Sequence, residues 1–523
     1  MKLPHLIVGL LLAAPLFAAP PAVTTLTPTG GQRGTTVAVT ATGTFDTWPA
    51  KGWCSVPGVA VTAEKDKGKF AVAIAADAPL GAVWLRFHDA SGASELRPFV
   101  VGDLPEQTEV EPNDAAGIAP VVAVPKVVNG VLAKSGDVDC FAVKLAKGQT
   151  LVASLDAHRT LRSPVDAVME VLSADGTVLE QNHDARGLDP EVAFTAPAAG
   201  TFVVRVFAFP SAPDSSIRYF GSPACVYRLT LTTEEFVDFV SPLAAEAGKE
   251  AKLTLAGWNL KAVTATLGKS DVVIGVAHPF AVARDPHPCF DLTASPADKP
   301  LSPPFTATGR VTKSNTSAVV PITAEAGKPL TLRLDSTTLG LSLTPVLRVL
   351  DSAGKQLLKA EPAALGGGID ATFTPPKSGE YKIEVRDLFN SVGPRHLFRM
   401  RVTPAAPDVA ATVAADRFTV AVGTPLDIPL TLAKKNGFKD ELISFADGLP
   451  DGVTASVGTP AKPDPNAVVL RLTATKPGVS GPIRIGVGKK GDDMFKRFAT
   501  AAQPAFERTA SDLWLTVSPS PPK

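Results

Sequence analysis

A long internal repeat is the feature that most constrains how this chain can fold. Residues 148–156 (GQTLVASLD) return as 327–335 (GKPLTLRLD), and residues 194–202 (FTAPAAGTF) return as 373–381 (FTPPKSGEY). Both pairs share an offset of 179 positions, so one unit of the chain occurs twice. Repeats are sought first because missing one leads to a wrong fold assignment. We call these two units the B copies.

A second, shorter repeat precedes each B copy at an offset of 214 positions. One proline and two glycines of each copy fall at matching places: Pro28, Gly34 and Gly43 correspond to Pro242, Gly248 and Gly257. The chain therefore has the order A–B–A′–B′, followed by a tail that begins at about Asp408.

Apolar residues alternate with period two in the first B copy. The alternating segments are 141–145, 151–155, 168–172 and 202–207, and Lys-Gly, Asp-Gly and Ala-Gly turns separate them. Such segments predict short strands. With 48 Pro and 42 Gly among 523 residues, little room is left for long helices. We therefore predict an all-β chain of tandem β-sandwich modules, Ig-like and jelly-roll-like, with a further Ig-like sandwich in the tail.

The N-terminus has the pattern of an export signal. A single positive charge at Lys2 precedes an apolar run over 6–16 and the small residues Ala18 and Ala19. This predicts a signal peptide over 1–19, because the run is far shorter than the ~20 residues that span a bilayer. We expect an exported protein, periplasmic, cell-surface or extracellular, with no transmembrane segment.

The charge balance argues against nucleic-acid binding. The chain has 51 Lys+Arg and 51 Asp+Glu, whereas nucleic-acid binders show a basic excess or a basic stripe. Because charged residues are only 20% of the chain and hydrophobic residues 45%, several cores can be filled.

Four cysteines remain in the mature chain: Cys54, Cys140, Cys225 and Cys289. An even count in an exported chain permits disulfides in three connectivities. Cys140 and Cys225 fall in one predicted module and could pair. However, Cys140 is out of phase with its apolar neighbours while Cys225 is in phase, so buried free thiols are an equal alternative.

Several motifs of residues 109–233 together resemble the bacterial pre-peptidase C-terminal (PPC) domain. They are EPND (111–114), GVL (130–132), GDVDCF (136–141), SADG (173–176), NHD (182–184) and AGTF (199–202). Residues 303–404 resemble a degenerate second example. Residues 22–103 and 236–295 look like IPT/TIG-type Ig-like modules, and 408–518 are similar to a C-terminal Ig-like domain. The resemblance implies a jelly-roll-like sandwich, found beside secreted peptidases and in many surface proteins without enzymatic activity.

Oxygen-bearing side chains cluster where the chain enters the first B copy. They are Glu109, Glu111, Asn113 and Asp114, followed by Asp137 and Asp139 just before a predicted strand. Calcium takes six to eight oxygen ligands, and alternate residues of an extended segment share one face. We predict a calcium site here. The alternatives are a solvated linker with turn-forming Asn and Asp, or another cation.

The resemblance supports the same residues. Collagenase-type members of the family bind calcium through a Glu-x-Glu-x-Asn-Asp segment, which residues 109–114 match, and their later aspartates map onto Asp139 and less directly onto Asp137. The second copy is an internal control. Thr316 and Ala318 replace the two aspartates, and the segment 302–305 has no carboxylate.

No catalytic motif is present in the sequence. None of the seven histidines lies in HExxH, and there is no G-x-S-x-G. We predict that the chain is not an enzyme and has no catalytic or cofactor-binding residues. Trp48 and Trp53 form the one suggestive aromatic pair for sugar binding. The alternative is a loop that packs its own aromatic rings onto the sandwich.

These features predict a structural or adhesive role. We expect a rod of sandwiches that presents loops to an extracellular or envelope protein or polysaccharide, with calcium stiffening the junction of the first A and B modules. The alternative is an accessory or substrate-binding subunit of an exported hydrolase.

Overall fold

The computed structural model describes residues 18–519 except 213–214, 216–217, 269–272, 275–279, 295–296, 461–466, 479 and 507. The predicted signal peptide therefore lies outside the described residues, apart from its last two positions. Helical segments in the described part are short: α1 (His158–Leu161) and three single turns of 3-10 helix, Ala116–Ile118, Thr337–Leu339 and Pro504–Phe506. None of these helices is long and apolar enough to cross a membrane. The prediction of an all-β chain of tandem sandwiches is confirmed.

The N-terminal unit is a sandwich of two four-stranded sheets, ordered β1-β3-β6-β5 and β2-β8-β7-β4. Its strands are β1 (Ala22–Thr27), β2 (Gly30–Gln32), β3 (Thr36–Thr44), β4 (Lys51–Cys54), β5 (Val59–Ala63), β6 (Lys69–Ile74), β7 (Gly81–His88) and β8 (Arg97–Gly102). Alternation places Phe70, Val72 and Phe87 between the sheets, fully buried.

The first repeat comprises a five-stranded sheet, β15-β12-β17-β10-β9, facing a four-stranded sheet, β11-β16-β13-β14. Its strands are β9 (Glu106–Thr108), β10 (Lys126–Val131), β11 (Asp139–Leu145), β12 (Thr150–Asp156), β13 (Val165–Leu172), β14 (Val178–Asn182), β15 (Glu191–Thr195), β16 (Gly200–Pro210) and β17 (Val226–Thr232). Phe141, Leu151 and Leu229 belong to the core between the two sheets.

A smaller linking unit follows, with strands β18 (Phe236–Ser241), β19 (Ala244–Glu246), β20 (Ala251–Trp258), β21 (Thr264–Leu267), β22 (Val273–Ile274), β23 (Phe280–Ala281) and β24 (Ala283–Asp285). It repeats a detail of the N-terminal unit. β1 has a bulge opposite Gly43, and β18 has one opposite Gly257. A Cβ on either glycine would lie within 2.0 Å of the carbonyl oxygen of the facing strand, so only glycine fits there.

The second repeat has the strand order of the first: β31-β28-β33-β26-β25 facing β27-β32-β29-β30. Its strands are β25 (Cys289–Asp291), β26 (Phe305–Arg310), β27 (Ala318–Ala324), β28 (Leu330–Asp335), β29 (Pro345–Leu350), β30 (Gln356–Ala360), β31 (Ile369–Phe373), β32 (Gly379–Asp387) and β33 (Leu397–Pro404). β9 and β25 each pair in parallel with the repeat that follows them, although the sequence interpretation began the repeats at 109 and 303.

The C-terminal unit contains the remaining strands in two sheets, β38-β39-β36-β34-β42-β43 and β35-β44-β40-β37, with β41 paired to β40. The strands are β34 (Asp408–Val413), β35 (Arg417–Ala421), β36 (Leu426–Lys435), β37 (Leu442–Asp447), β38 (Val453–Val457), β39 (Val468–Ala474), β40 (Gly481–Lys489), β41 (Asp492–Phe498), β42 (Thr500–Gln503), β43 (Arg508–Ala510) and β44 (Leu513–Ser518).

The first and last units of the chain contact each other. Arg86, fully buried in the N-terminal unit, donates a hydrogen bond to Asp416 at 2.7 Å. The ring of the buried Trp514 lies 6.1 Å from that of Trp53 and 4.6 Å from that of His88, measured between centroids. The expectation of a rod is therefore wrong, because its two ends would have to lie apart.

The two tryptophans singled out in the sequence are both used in packing. Trp48 contacts Phe45 and Phe70 at centroid distances of 5.4 and 5.2 Å, and its indole N–H donates to the carbonyl of Glu64. Trp53 faces the C-terminal unit. The pair is thus not an exposed platform, and the packing alternative is correct for Trp48.

All four cysteines are free thiols. Cys140 lies on the outer side of β11 against Ala142 and Leu172, whereas Cys225 lies in the core of the first repeat. The two thiols lie on opposite sides of a sheet, as the opposite phases of their strands in the sequence indicate, so they do not pair. The free-thiol alternative is correct. Burial raises the pKa of the Cys140 thiol to about 11, so the reactive thiolate is suppressed.

Candidate metal site in the first repeat

The acidic cluster lies where the segment after β9 crosses the edge of the sandwich. The backbone N–H of Glu109 donates to the carbonyl of Asn129 at 2.9 Å, which extends the parallel pairing of β9 with β10 by one residue. This pairing aims the Glu109 carboxylate across Gly130. A Cβ at Gly130 would lie 2.2 Å from the Tyr227 hydroxyl and 2.4 Å from Glu109 Oε2, so the site requires glycine at this position.

A tyrosine hydroxyl joins two carboxyl groups at the floor of the site. Tyr227 Oη is 2.8 Å from Glu109 Oε2 and 2.6 Å from Asp139 Oδ2. A hydroxyl has one proton to donate, so it cannot satisfy both carboxylates fully. Glu109 also accepts the backbone N–H of Val131 at 2.6 Å, while Asp139 is completely buried.

Burial and mutual repulsion disfavour negative charge on the carboxyl groups of Glu109 and Asp139. The pKa of Asp139 is raised to about 9, first by desolvation and then by the neighbouring Glu109. Desolvation also raises the pKa of Glu109, and that of Tyr227 is raised well above its ordinary value by burial and by the two carboxylates. The pair must therefore either retain a proton or receive a compensating cation.

Asn113 brings a third oxygen toward the same point. Its buried side-chain oxygen faces Asp139 Oδ1 at 3.2 Å and Glu111 Oε2 at 3.0 Å. With the amide reversed, its nitrogen would donate to both carboxylates. In that orientation the amide satisfies both carboxylates without a metal, whereas a bound cation would require the oxygen to face inward beside them. The backbone carbonyl of Asn113 accepts the N–H of Cys140 at 3.0 Å and so anchors this segment to β11.

Asp137 contributes a buried carboxylate oxygen that accepts no hydrogen bond. Its Oδ2 accepts the N–H of Ala133 at 2.5 Å, but its buried Oδ1 has no hydrogen bond, and the nearest cation, Lys134 Nζ, is 3.7 Å away. One carboxylate oxygen from each of Glu111, Asp137 and Asp139 lies within 4.8 Å of the others. Such an orphaned acceptor beside two carboxylates fits a metal ligand.

Five of the six predicted residues therefore come together, and one does not. Glu109, Glu111, Asn113, Asp137 and Asp139 share the site described above. Asp114 is exposed at its margin, with Oδ1 4.0 Å from the exposed Lys134 ammonium. The sequence interpretation missed Tyr227 and Gly130. The signal for Tyr227 was present, because the matching segment of the second repeat has Phe398 in its place.

The second repeat replaces this site with apolar groups. By strand register, Leu292 stands where Glu109 does, since its N–H donates to Thr308 as that of Glu109 donates to Asn129. Ala318 replaces Asp139, and Phe398 replaces Tyr227. The sequence comparison with 302–305 used the wrong segment, because the counterpart of Glu109 lies further upstream.

Comparison with known proteins supports the resemblance for part of the chain. Residues 137–208 match the family model of the bacterial pre-peptidase C-terminal domain. A segment of 106 residues is 29% identical to a protein of Deinococcus radiodurans named a probable subtilase-type serine protease. That match covers 20% of this chain and 15% of the relative, so most of the relative has no counterpart in the alignment.

Two solved structures with similar segments are distant from this chain in sequence. The pre-peptidase C-terminal domain of a collagenase from Bacillus anthracis aligns over its whole length and over 24% of this chain, with 13% identity and a TM-score of 0.18. A glucan-utilisation protein of Bacteroides ovatus, solved with a mixed-linkage heptasaccharide, aligns over 72% of each chain, with 9% identity and a TM-score of 0.14.

Proposed function

We propose that this chain is an exported, non-catalytic envelope protein that binds an extracellular or envelope partner through its β-sandwich units, and that calcium occupies the acidic site of the first repeat. The observation that carries the calcium proposal is the buried Oδ1 of Asp137, which accepts no hydrogen bond and lies beside the carboxylates of Glu111 and Asp139, with only the exposed Lys134 ammonium near it at 3.7 Å. A carboxylate oxygen without a donor in a buried place is costly unless a cation compensates it.

The residues present fit calcium as the metal. Glu111, Asp137 and Asp139 would supply carboxylate oxygens, and Asn113 an amide oxygen, which are ligands that calcium prefers. Glu109 would be held beside them through the Tyr227 hydroxyl. When bound, the ion would supply two positive charges and replace the proton that the buried pair otherwise retains.

The expected role of the ion is mechanical. Glu111 and Asn113 belong to the segment that leaves β9, whereas Asp139 is the first residue of β11 and Asp137 lies two positions before it. An ion between them would tie this segment to the sandwich. Since β9 directly follows the last strand of the N-terminal unit, calcium would stabilise the position of that unit on the first repeat.

Calorimetric titration of the chain without residues 1–19 tests the site. We expect saturable binding of about one calcium ion in the extracellular-module range of roughly 10⁻⁴–10⁻³ M, with a rise in Tm. Asp137→Asn should abolish both effects. The matched control is Glu325→Gln, an exposed carboxylate of the second repeat, which should bind as the parent does. Absence of heat and of any Tm shift in the parent chain would remove calcium from the proposal.

A second candidate role is that of an accessory or substrate-binding subunit of an exported hydrolase. The favouring observation is the similarity to a segment of a chain named as a protease. Retention of envelope components on the immobilised chain, with and without calcium, separates the two roles. Recovery of one hydrolase in stoichiometric amount supports the accessory role, and specific recovery of a polysaccharide supports direct ligand binding.

A further inference from the structure

A polar groove runs across the outer face of the five-stranded sheet of the second repeat. It consists of two adjoining cavities of about 490 and 770 Å³, which share Arg333, Asp370 and Arg401. The cavities are lined by six cationic side chains and four carboxylates, so the groove has an excess of positive charge although the chain as a whole has none.

Two arginines are direct cross-strand neighbours in this groove. The register places Thr306, Arg401, Arg333 and Asp370 side by side on four adjacent strands, β26, β33, β28 and β31. Like charges directly opposite each other on a sheet are destabilising. An arrangement of this kind is stabilised when an anion binds across both guanidinium groups.

The carboxylates nearby leave both arginines incompletely paired. Arg333, 59% exposed, is 3.8 Å from Asp370, which is bound more closely by Lys435 at 3.0 Å. Arg401 Nε is 3.2 Å from Asp285 but lacks hydrogen-bond alignment, and that carboxylate already accepts the Thr306 hydroxyl.

The first repeat shows that the fold does not require this pair. The corresponding row there is Val127, Thr230, Ser154 and Glu191, with no like charges opposed and with Ser154 hydrogen-bonded to Glu191. That face is also covered by other units of the chain, so the three polar residues are buried. The arginines therefore belong to the open face alone.

We propose that this groove binds a carboxylate-bearing polysaccharide. The planar guanidinium groups of Arg333 and Arg401 match carboxylates in a bidentate geometry. Hydroxyl groups of Thr331, Thr372 and Thr403, on the same face, suit a ligand rich in hydroxyls. The described lining has no Trp, Tyr or Phe on which a neutral sugar could stack, and no apolar pocket to anchor a peptide side chain. This inference deepens the proposed partner-binding role and is independent of the calcium site.

Affinity electrophoresis of the chain without residues 1–19 tests the proposal, with polygalacturonate, neutral dextran or poly-glutamate in the gel. EDTA is included so that every sample is free of calcium. The result then does not depend on whether the acidic site of the first repeat binds calcium. We expect retardation by polygalacturonate that weakens with salt, and none by dextran. The double variant Arg333→Gln/Arg401→Gln should bind at least about tenfold more weakly, a loss of about 1.4 kcal/mol.

Arg348→Gln is the matched control, because this arginine lies on the opposite sheet of the same repeat with its own partner, Glu384. It should leave binding unchanged. Arg333→Gln alone, at an exposed position, gives a partial loss even if the double variant is misfolded. Equal retardation by poly-glutamate, unchanged binding of the variants, or no retardation of the parent chain by polygalacturonate would each overturn the proposal.

Discussion

The two repeats have the same strand order but opposite surroundings. In the first repeat, the outer face of the five-stranded sheet is covered by other units, and polar residues such as Glu191 and Arg228 are buried there. In the second repeat the same face is open and lined by exposed charges. Conversely, the edge that carries the acidic site in the first repeat is apolar in the second. One fold thus supports two different distributions of charge, and neighbouring units decide which positions are buried.

The largest expected difference concerns Glu191 and its counterpart Asp370. Glu191 is buried and paired with Arg186 at 2.9 Å and with Arg395 of the second repeat at 2.8 Å, and both arginines also contact Asp238 of the linking unit. Glu191→Ala leaves two buried guanidinium groups undercompensated, and we expect a loss of about 3–5 kcal/mol. Asp370→Ala, at an exposed position, should cost no more than about 1 kcal/mol.

Hydrogen exchange measured by mass spectrometry distinguishes these effects, because peptides from β12 and β28 report opening of each repeat separately. Similar changes for the two variants would mean that the buried network contributes no more than a surface pair.

The second prediction concerns pH and Asp189, whose counterpart in the second repeat is Gly368. Asp189 is fully buried, accepts the backbone N–H groups of His158 and Arg159, and has a pKa raised to about 7 by burial and then by repulsion from Asp156. Its folded pKa lies above the unfolded value of about 4. Its stabilising contribution is therefore complete below pH 4 and is lost as the pH rises to 7.

Between pH 5 and pH 7 we expect Asp189 to lower the opening free energy of the first repeat by about 2–3 kcal/mol relative to the second, in addition to the loss from Asp139, whose pKa is also raised. Hydrogen exchange corrected for intrinsic rates measures this difference. Asp189→Asn serves as the control and should remove the part of the pH dependence that comes from Asp189. An unchanged pH profile in that variant would assign the effect to another group.

A third, smaller effect is expected from Phe398→Tyr. This change gives the second repeat the hydroxyl of Tyr227 but not its acceptors, since Leu292 and Ala318 stand in place of Glu109 and Asp139. A buried hydroxyl without an acceptor should cost about 1–2 kcal/mol.

The control for Phe398→Tyr is Phe290→Tyr on the same sheet. Phe290 is 37% exposed, so its added hydroxyl can reach water and should be nearly neutral. Hydrogen exchange of the whole chain, measured at increasing urea concentrations and read in the peptides that contain β33, compares the stability of the two variants. If neither variant changes the stability of the second repeat, the hydroxyl added at Phe398 finds a hydrogen-bond partner that the structure does not indicate.

The smallest effect is expected at an ion pair whose polarity is reversed between the repeats. Glu170 on β13 pairs with Arg205 on β16, whereas Arg348 on β29 pairs with Glu384 on β32. Exchanging the second pair with Arg348→Glu/Glu384→Arg should change stability by less than about 0.5 kcal/mol, while Glu384→Arg alone should cost up to about 1 kcal/mol through like-charge repulsion. A large effect of the double exchange would show that each polarity is fixed by its surroundings.

The sequence predicted the fold well because its signals are local and repeated. Alternation in segments such as 151–155 places every second residue in a core, and an offset of 179 identifies the equivalent strand of the second repeat. It grouped the acidic residues for a similar reason: Glu109, Glu111 and Asn113 lie on one extended segment, and Asp137 and Asp139 are two positions apart beside a predicted strand. Tyr227 was missed because it reaches the site from a strand nearly ninety residues after Asp139.

The sequence by itself determined the all-β class, the repeated unit and the concentration of carboxylates at one edge, because each follows from residue spacing along one segment. Only the tertiary structure decided which polar residues are buried. Nothing in the sequence indicates that Arg86, Trp53 and Trp514 bring together the two ends of the chain, and Trp53 was singled out there for sugar binding instead. A residue on the outer face of one unit is buried only when another unit, hundreds of positions away in sequence, packs against it. No local sequence pattern indicates such a contact.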